Sequence, residues 1–325
     1  MANVIMDLEP TPCIVQRVRF KPSEALRFLG GLAVAAVLLG LVALRVTSCA
    51  PTPKPHPVPA ATPAPAPPPA PPLSACASGP AAGARANAAS LRTLAWAPFG
   101  RAEAGWEIYA PLIAREIRTG CAPDSPGFAA ALAAWESAQR LPADGTLSVA
   151  VFNRMKGVIQ TRRPFVRLSA QHICPQPPAT AALAQASAAE GYAGKAIQLR
   201  PGALAAYRRM AAAARANDAA IAADPRNLTI FSGFRDPAAD AARCVSDGNC
   251  NGVVRATCSA HRTGLAMDIY VGQAPGFGPD SSADANRLFM SRTPTYRWLV
   301  ANADRFGFAP YPFEPWHWEW TGEAP

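Results

Sequence analysis

The residues best equipped for chemistry stand in two short segments near the C-terminus. They are S-A-H-R-T-G-L-A-M-D (Ser259 to Asp268) and E-P-W-H-W-E (Glu314 to Glu319). The chain has only 4 histidines, and two of them, His261 and His317, lie here. Together with Asp268 they offer three N/O donors. Three protein ligands with an open fourth position describe a catalytic zinc site, not a closed structural one. Glu314 precedes His317 by three residues, with Pro315 fixing the turn between them. Its carboxylate is placed to take a proton from water without being a ligand. Each residue alone has a plainer account: a histidine capping a strand, an aspartate accepting backbone hydrogen bonds, a glutamate as a loop charge. Their occurrence together, in this order, favours the site.

Certain elements must position these groups. Leu265, Met267, Ile269 and Val271 alternate with Ala266, Asp268 and Tyr270, the period of a strand with one apolar face, so Asp268 projects from the other. Trp316, Trp318 and Trp320 alternate likewise with His317 and Glu319. His261 falls in the turn leading into the first strand, where Gly264 permits tight backbone geometry. Two neighbouring strands then converge His261, Asp268 and His317 on one point. Upstream, the pattern predicts a helix over 203–223 ending at Asp224-Pro225, and a short strand over 228–231 that delivers Arg235 on the following loop. A further helix is predicted over 295–305, between the two ligand strands. Helices segregated against a small antiparallel sheet make an α+β fold.

S-x-H-x-x-G-x-A-x-D followed by E-P-W-H resembles the signature of the VanY-type D-alanyl-D-alanine carboxypeptidase family of zinc peptidases. F-S-G-F-R-D (Phe231 to Asp236) resembles that family's S-G-Y-R segment, and W-L-V-A-N-A-D-R-F-G-F (Trp298 to Phe308) the piece before its last strand. The resemblance covers about residues 185–320. It implies a zinc cofactor held by His261, Asp268 and His317, with Glu314 as general base. Arg235 would steady the scissile carbonyl as it becomes an oxyanion, and Ser259 would line the site and hold substrate. The implied substrate is the peptidoglycan stem peptide. The chain departs from the family at Asp240, where a glutamine is common five residues after the arginine; this bears on substrate contacts on that side.

Residues 76–170 read as a mostly helical module. Phe128, Leu132 and Trp135 recur at helical spacing. A P-A-D-G turn (Pro142 to Gly145) and a second helix through Phe152 and Met155 follow. The run resembles a small peptidoglycan-binding domain; the other reading is a helical spacer or support packed on the catalytic domain, 171–325. Six cysteines lie beyond residue 75: Cys76, Cys121, Cys174, Cys244, Cys250 and Cys258. An even number in an exported chain predicts three disulfides, with Cys244 and Cys250 placed to close a small loop across a D-G-N turn. The alternative is a structural zinc site of Cys244, Cys250, Cys258 and His261, which would consume the histidine that the other motif requires.

The N-terminal quarter predicts a location. Phe28 to Leu44 is an uninterrupted apolar run, long enough for a membrane-spanning helix. Arg17, Arg19, Lys21 and Arg27 precede it, so residues 1–27 read as a cytoplasmic tail and 28–48 as a signal anchor, with the remainder exported. Val46-Thr47-Ser48-Cys49 also resembles a lipobox, and Cys49 is a candidate for acylation. Residues 49–75 form a linker in which 12 of the 22 residues from Pro51 to Pro72 are proline, an extended polyproline II spacer. The net charge of +9 fits attraction to an anionic polymer or membrane surface. No DNA- or RNA-reading motif is present, which argues against a nucleic-acid partner.

Overall fold

The computed structural model describes residues 76–246, 248 and 258–325. The expected tail, membrane anchor, proline linker and Cys49 lie outside the described residues, as does Cys250. Among the described residues no helix is long and apolar enough to cross a membrane.

The first elements are helical. Helices α1 (Ala81–Ser90), α2 (Ala110–Glu116), α3 (Pro126–Ala138), α4 (Val149–Gln160) and α5 (Pro164–Ser169) surround a core of Trp106, Tyr109, Ile113, Phe128, Leu132, Phe152 and Met155. Ser125 and Ser148 cap α3 and α4, each accepting a backbone N–H three residues on, the arrangement that satisfies orphan donors at a helix start. The P-A-D-G turn joins these two helices. Gly145 sits there at φ 70°, where a Cβ would come within 2.3 Å of the Ala129 carbonyl oxygen, so only glycine is accommodated. A two-residue hairpin, β1 (Ala95–Trp96) with β2 (Glu103–Ala104), interrupts the helices; such short strands leave no period-two signal.

The second half is a four-stranded antiparallel sheet with helices packed on it. Its strands are β5 (Ile230–Ser232), β6 (Ala266–Ile269), β7 (Phe308–Tyr311) and β8 (Glu314–Trp320), ordered β5-β6-β8-β7. A second hairpin pairs β3 (Ala184–Gln185) with β4 (Gln198–Leu199). Helices α6 (Pro201–Asn217), α7 (Ala219–Ala223), α8 (Pro237–Ser246), α9 (Asp284–Arg292) and α10 (Pro294–Asn302) complete the order. Leu204, Tyr207 and Met210 from α6 and Leu299 from α10 pack with Met267, Ile269, Trp316 and Trp318, the apolar set of both ligand strands. Mixed helix and small antiparallel sheets agree with the expected α+β class.

Several boundaries differ from the sequence reading, each for a local reason. The helix expected over 203–223 is two, broken at Asp218, whose backbone is extended and whose carboxylate accepts from Ala220 and Ile221 N–H. A capping side chain thus restarts the helix. The strand expected over 228–231 is Ile230–Ser232, because Leu228 adopts a positive φ of 69°. The helix expected over 295–305 is Pro294–Asn302 followed by a 3-10 turn, Ala303–Phe306. The first ligand strand is shorter than 265–271 and buried on both faces, with His261 and His317 covering Asp268 on its polar side.

The helical part packs against the sheet half. The described residues fall in one compact unit. Leu112 of α2 belongs to the sheet's core, and Leu288 of α9 packs on the helical one. Arg287, fully buried, donates to Glu103 and Tyr109 of the helical part and to the Phe313 carbonyl of the β7–β8 hairpin. Phe99 packs against both Tyr311 and Phe313.

Disulfides join Cys76 to Cys121 and Cys174 to Cys258, and Cys244 is disulfide-bonded too. Cys258 is therefore unavailable to the alternative cysteine-rich zinc site.

Candidate active site

The register of two strands builds the centre. Strand β6 pairs antiparallel with β8, and Asp268 lies directly opposite His317. Residues facing each other across a ladder project to the same side of the sheet, so both emerge opposite the tryptophan-lined core. His261 arrives from a 3-10 turn, Ala260–Thr263, which Gly264 ends at φ 70°. The candidate ligand atoms of His261, Asp268 and His317 all lie within 4.8 Å of one another, and all three residues are buried.

Hydrogen bonds orient the rings. His261 Nδ1–H donates to the Gly233 carbonyl at 2.8 Å. A carbonyl can only accept, so Nε2 is the free nitrogen, 3.2 Å from Asp268 Oδ2. His317 Nδ1 lies 2.9 Å from Asp268 Oδ1, while its Nε2 faces Glu319 Oε1 at 3.4 Å. Two imidazole nitrogens therefore flank one carboxylate, each held from behind by an oxygen, as in histidine–metal sites. Two imidazoles and a carboxylate are a donor set that fits a zinc ion.

Electrostatics agree with a cation-seeking site. Burial would raise the Asp268 pKa, but the neighbouring His261 and hydrogen bonds from both histidines hold it well below the usual carboxylate range. Burial dominates at His261 and lowers it. At His317 burial also disfavours charge, yet hydrogen bonds to Asp268 and Glu319 bring it to about 9. Glu319 behaves like Asp268: burial opposes its charge, and Arg163 and His317 keep it at about 2.

Glu314 begins β8, its Oε2 4.0 Å from His317 Nδ1. Burial raises its pKa, reinforced by the charge of Asp268 and countered by His317, Arg163 and Arg235. A carboxylate of raised basicity beside a metal-ligand cluster is what a general base requires. Arg235 follows β5, and its backbone N–H donates to the His261 carbonyl at 3.3 Å. Its Nε is buried without a hydrogen-bond partner, 3.5 Å from Asp240 Oδ2, so the residue departing from the family pattern faces this arginine. Ser259, half-buried, immediately precedes the His261 turn.

The structure thus gathers His261, Asp268 and His317 tightly, sets Glu314 beside them, and brings Arg235 within electrostatic reach of both His261 and Glu314. Sequence reasoning gave no role to two further residues. Glu319 shares its strand face with His317, which the alternation of the tryptophans already implied. Arg163, 156 residues away from Glu319, left no comparable signal.

Residues 196–323 match the VanY family model, D-alanyl-D-alanine carboxypeptidase, and this bears out the resemblance carried by the motifs. No curated protein matches the chain.

Proposed function

We propose that the protein is a zinc-dependent D,D-carboxypeptidase that removes the terminal D-alanine from D-Ala-D-Ala ends of peptidoglycan stem peptides. The observation that carries this is the facing pair Asp268 and His317, closed by His261, within a segment that matches the VanY family. The N-terminal apolar run and proline tract support an enzyme tethered to the inner membrane and acting in the periplasm.

His261, Asp268 and His317 would hold the metal. When bound, zinc supplies Lewis acidity to the scissile carbonyl and lowers the pKa of water. Glu314 accepts a proton from the attacking water as its oxygen bonds to the carbonyl carbon. The carbon–nitrogen bond then breaks, and Glu314 returns the proton to the departing amine of D-alanine, leaving the shortened peptide as a carboxylate. Arg235, its Nε 3.5 Å from Asp240 Oδ2, faces the negative charge that grows on the carbonyl oxygen. Ser259 lines the approach and holds the peptide.

Incubating zinc-loaded full-length protein with purified muropeptides and weighing the products tests this reading. Loss of one alanine supports it. Internal cleavage would make the protein an endopeptidase of the same chemistry, and release of alanine from free D-Ala-D-Ala alone would make it a dipeptidase. No product from folded, metal-replete protein would leave a wall-binding role.

A further inference from the structure

One buried charged contact enters the site from outside the catalytic sheet. Arg163 stands at the start of α5, between α4 and α5, and is only 6% exposed. Its Nε donates to Glu319 Oε1 at 2.8 Å, and a second guanidinium nitrogen lies 2.5 Å from the same oxygen. Glu319 is 2% exposed, and its other oxygen accepts from the Phe165 backbone N–H at 3.4 Å. Glu319 in turn faces His317 Nε2. The Arg163 guanidinium also lies over the Tyr311 ring at 4.3 Å, and Tyr311 meets the His317 ring edge-on at 5.9 Å. Arg163 therefore supports His317 through both a carboxylate and an aromatic ring.

We propose that Arg163 is a positioning residue: through Glu319 and Tyr311 it fixes the ring and the proton-bearing nitrogen of His317, so the helical module completes the metal site. The reasoning rests on the metal-site reading above. A histidine ligand with a free second nitrogen can rotate or switch tautomer, and a carboxylate behind it prevents both. That carboxylate is itself held only if its own partner is in place. Among the described residues nothing in the catalytic half supplies that partner, since both donors to Glu319 besides His317, Arg163 and the Phe165 backbone, belong to the helical module. On this view the module is part of the active site's wall, whatever it also binds.

The test measures zinc affinity of the full chain by chelator competition, together with the visible spectrum of the cobalt-substituted protein. Arg163→Met is expected to weaken zinc binding about 10- to 100-fold and to change the cobalt spectrum, with Arg163→Lys recovering part of the loss. Because Arg163→Met strands a buried carboxylate, the decisive variant is Arg163→Met with Glu319→Leu. Replacing a buried ion pair by apolar groups of similar size preserves folding while leaving His317 unsupported, so the same weakening is expected. Wild-type affinity and spectrum in this double variant would overturn the proposal, as would an Arg163→Met protein that binds zinc normally. Failure of the underlying reading looks different: the wild type itself takes up no metal, or His261→Ala and His317→Ala retain it.

Discussion

Glu136 makes the stability of this protein depend on pH. Its side chain, fully buried in α3, has one oxygen accepting from Gly145 N–H at 2.9 Å and another without a hydrogen-bond partner. Burial is the main cause that raises its pKa from 4.5 to about 7, aided by Asp144 and opposed by the Gly145 and Asp144 N–H groups. The folded state thus holds this proton more tightly than the unfolded chain. The resulting stabilisation is fully present below the unfolded value and is lost as pH rises through the folded one. At about 1.4 kcal/mol per pH unit, the displacement amounts to about 3 kcal/mol, most of which is lost between roughly pH 5 and pH 8. Glu136→Gln removes the titration while keeping an acceptor for Gly145. Urea unfolding followed by tryptophan fluorescence at both pH values, on both proteins, measures the effect. The stability difference between variant and wild type is expected to move by about 2 to 3 kcal/mol in the variant's favour on going to the higher pH. A difference that is the same at both values would refute the reasoning.

Two further perturbations test how the site is held. Arg287→Met leaves Glu103 buried with Tyr109 as its one side-chain partner among the described residues and frees the Phe313 carbonyl beside Glu314. It should cost about 3 to 5 kcal/mol in urea unfolding, and a loss under about 1 would show that the pair is not isolated from water. Replacing both Cys174 and Cys258 by alanine opens a link that spans 84 residues and ends three residues before His261. A loss of about 2 to 5 kcal/mol is expected in the same assay, and an unchanged midpoint would contradict a stabilising role.

The site was more legible in the sequence than the architecture around it. Metal binding and proton transfer each need particular atoms at particular spacings, so His261, Asp268 and His317 stand out as candidate ligands and Glu314 as a candidate base, and the alternation of Trp316, Trp318 and Trp320 gives the face from which His317 projects. The two small hairpins escaped because two residues cannot display a period. The break at Asp218 escaped because a capping aspartate inside an alanine-rich run looks like one polar position of a continuous helix. Arg163 escaped for a deeper reason. Its partner lies on a strand at the other end of the chain, and nothing local distinguishes it from Arg162, whose guanidinium makes an exposed pair with Glu116. Burial on both faces of β6 is likewise a property of the assembled molecule, since Asp268 is covered by His261 and His317 only once the strands and the turn before them come together.

The division of labour at the centre, with three residues holding metal and Glu314 moving the proton, is tested most directly by Glu314→Gln. Bound zinc per chain and turnover of a D-Ala-D-Ala muropeptide are measured on the same preparation. The account predicts an undiminished zinc content with turnover reduced by at least about 100-fold. Zinc lost together with activity would make Glu314 a ligand, and turnover kept near the wild-type rate would remove it from the chemistry.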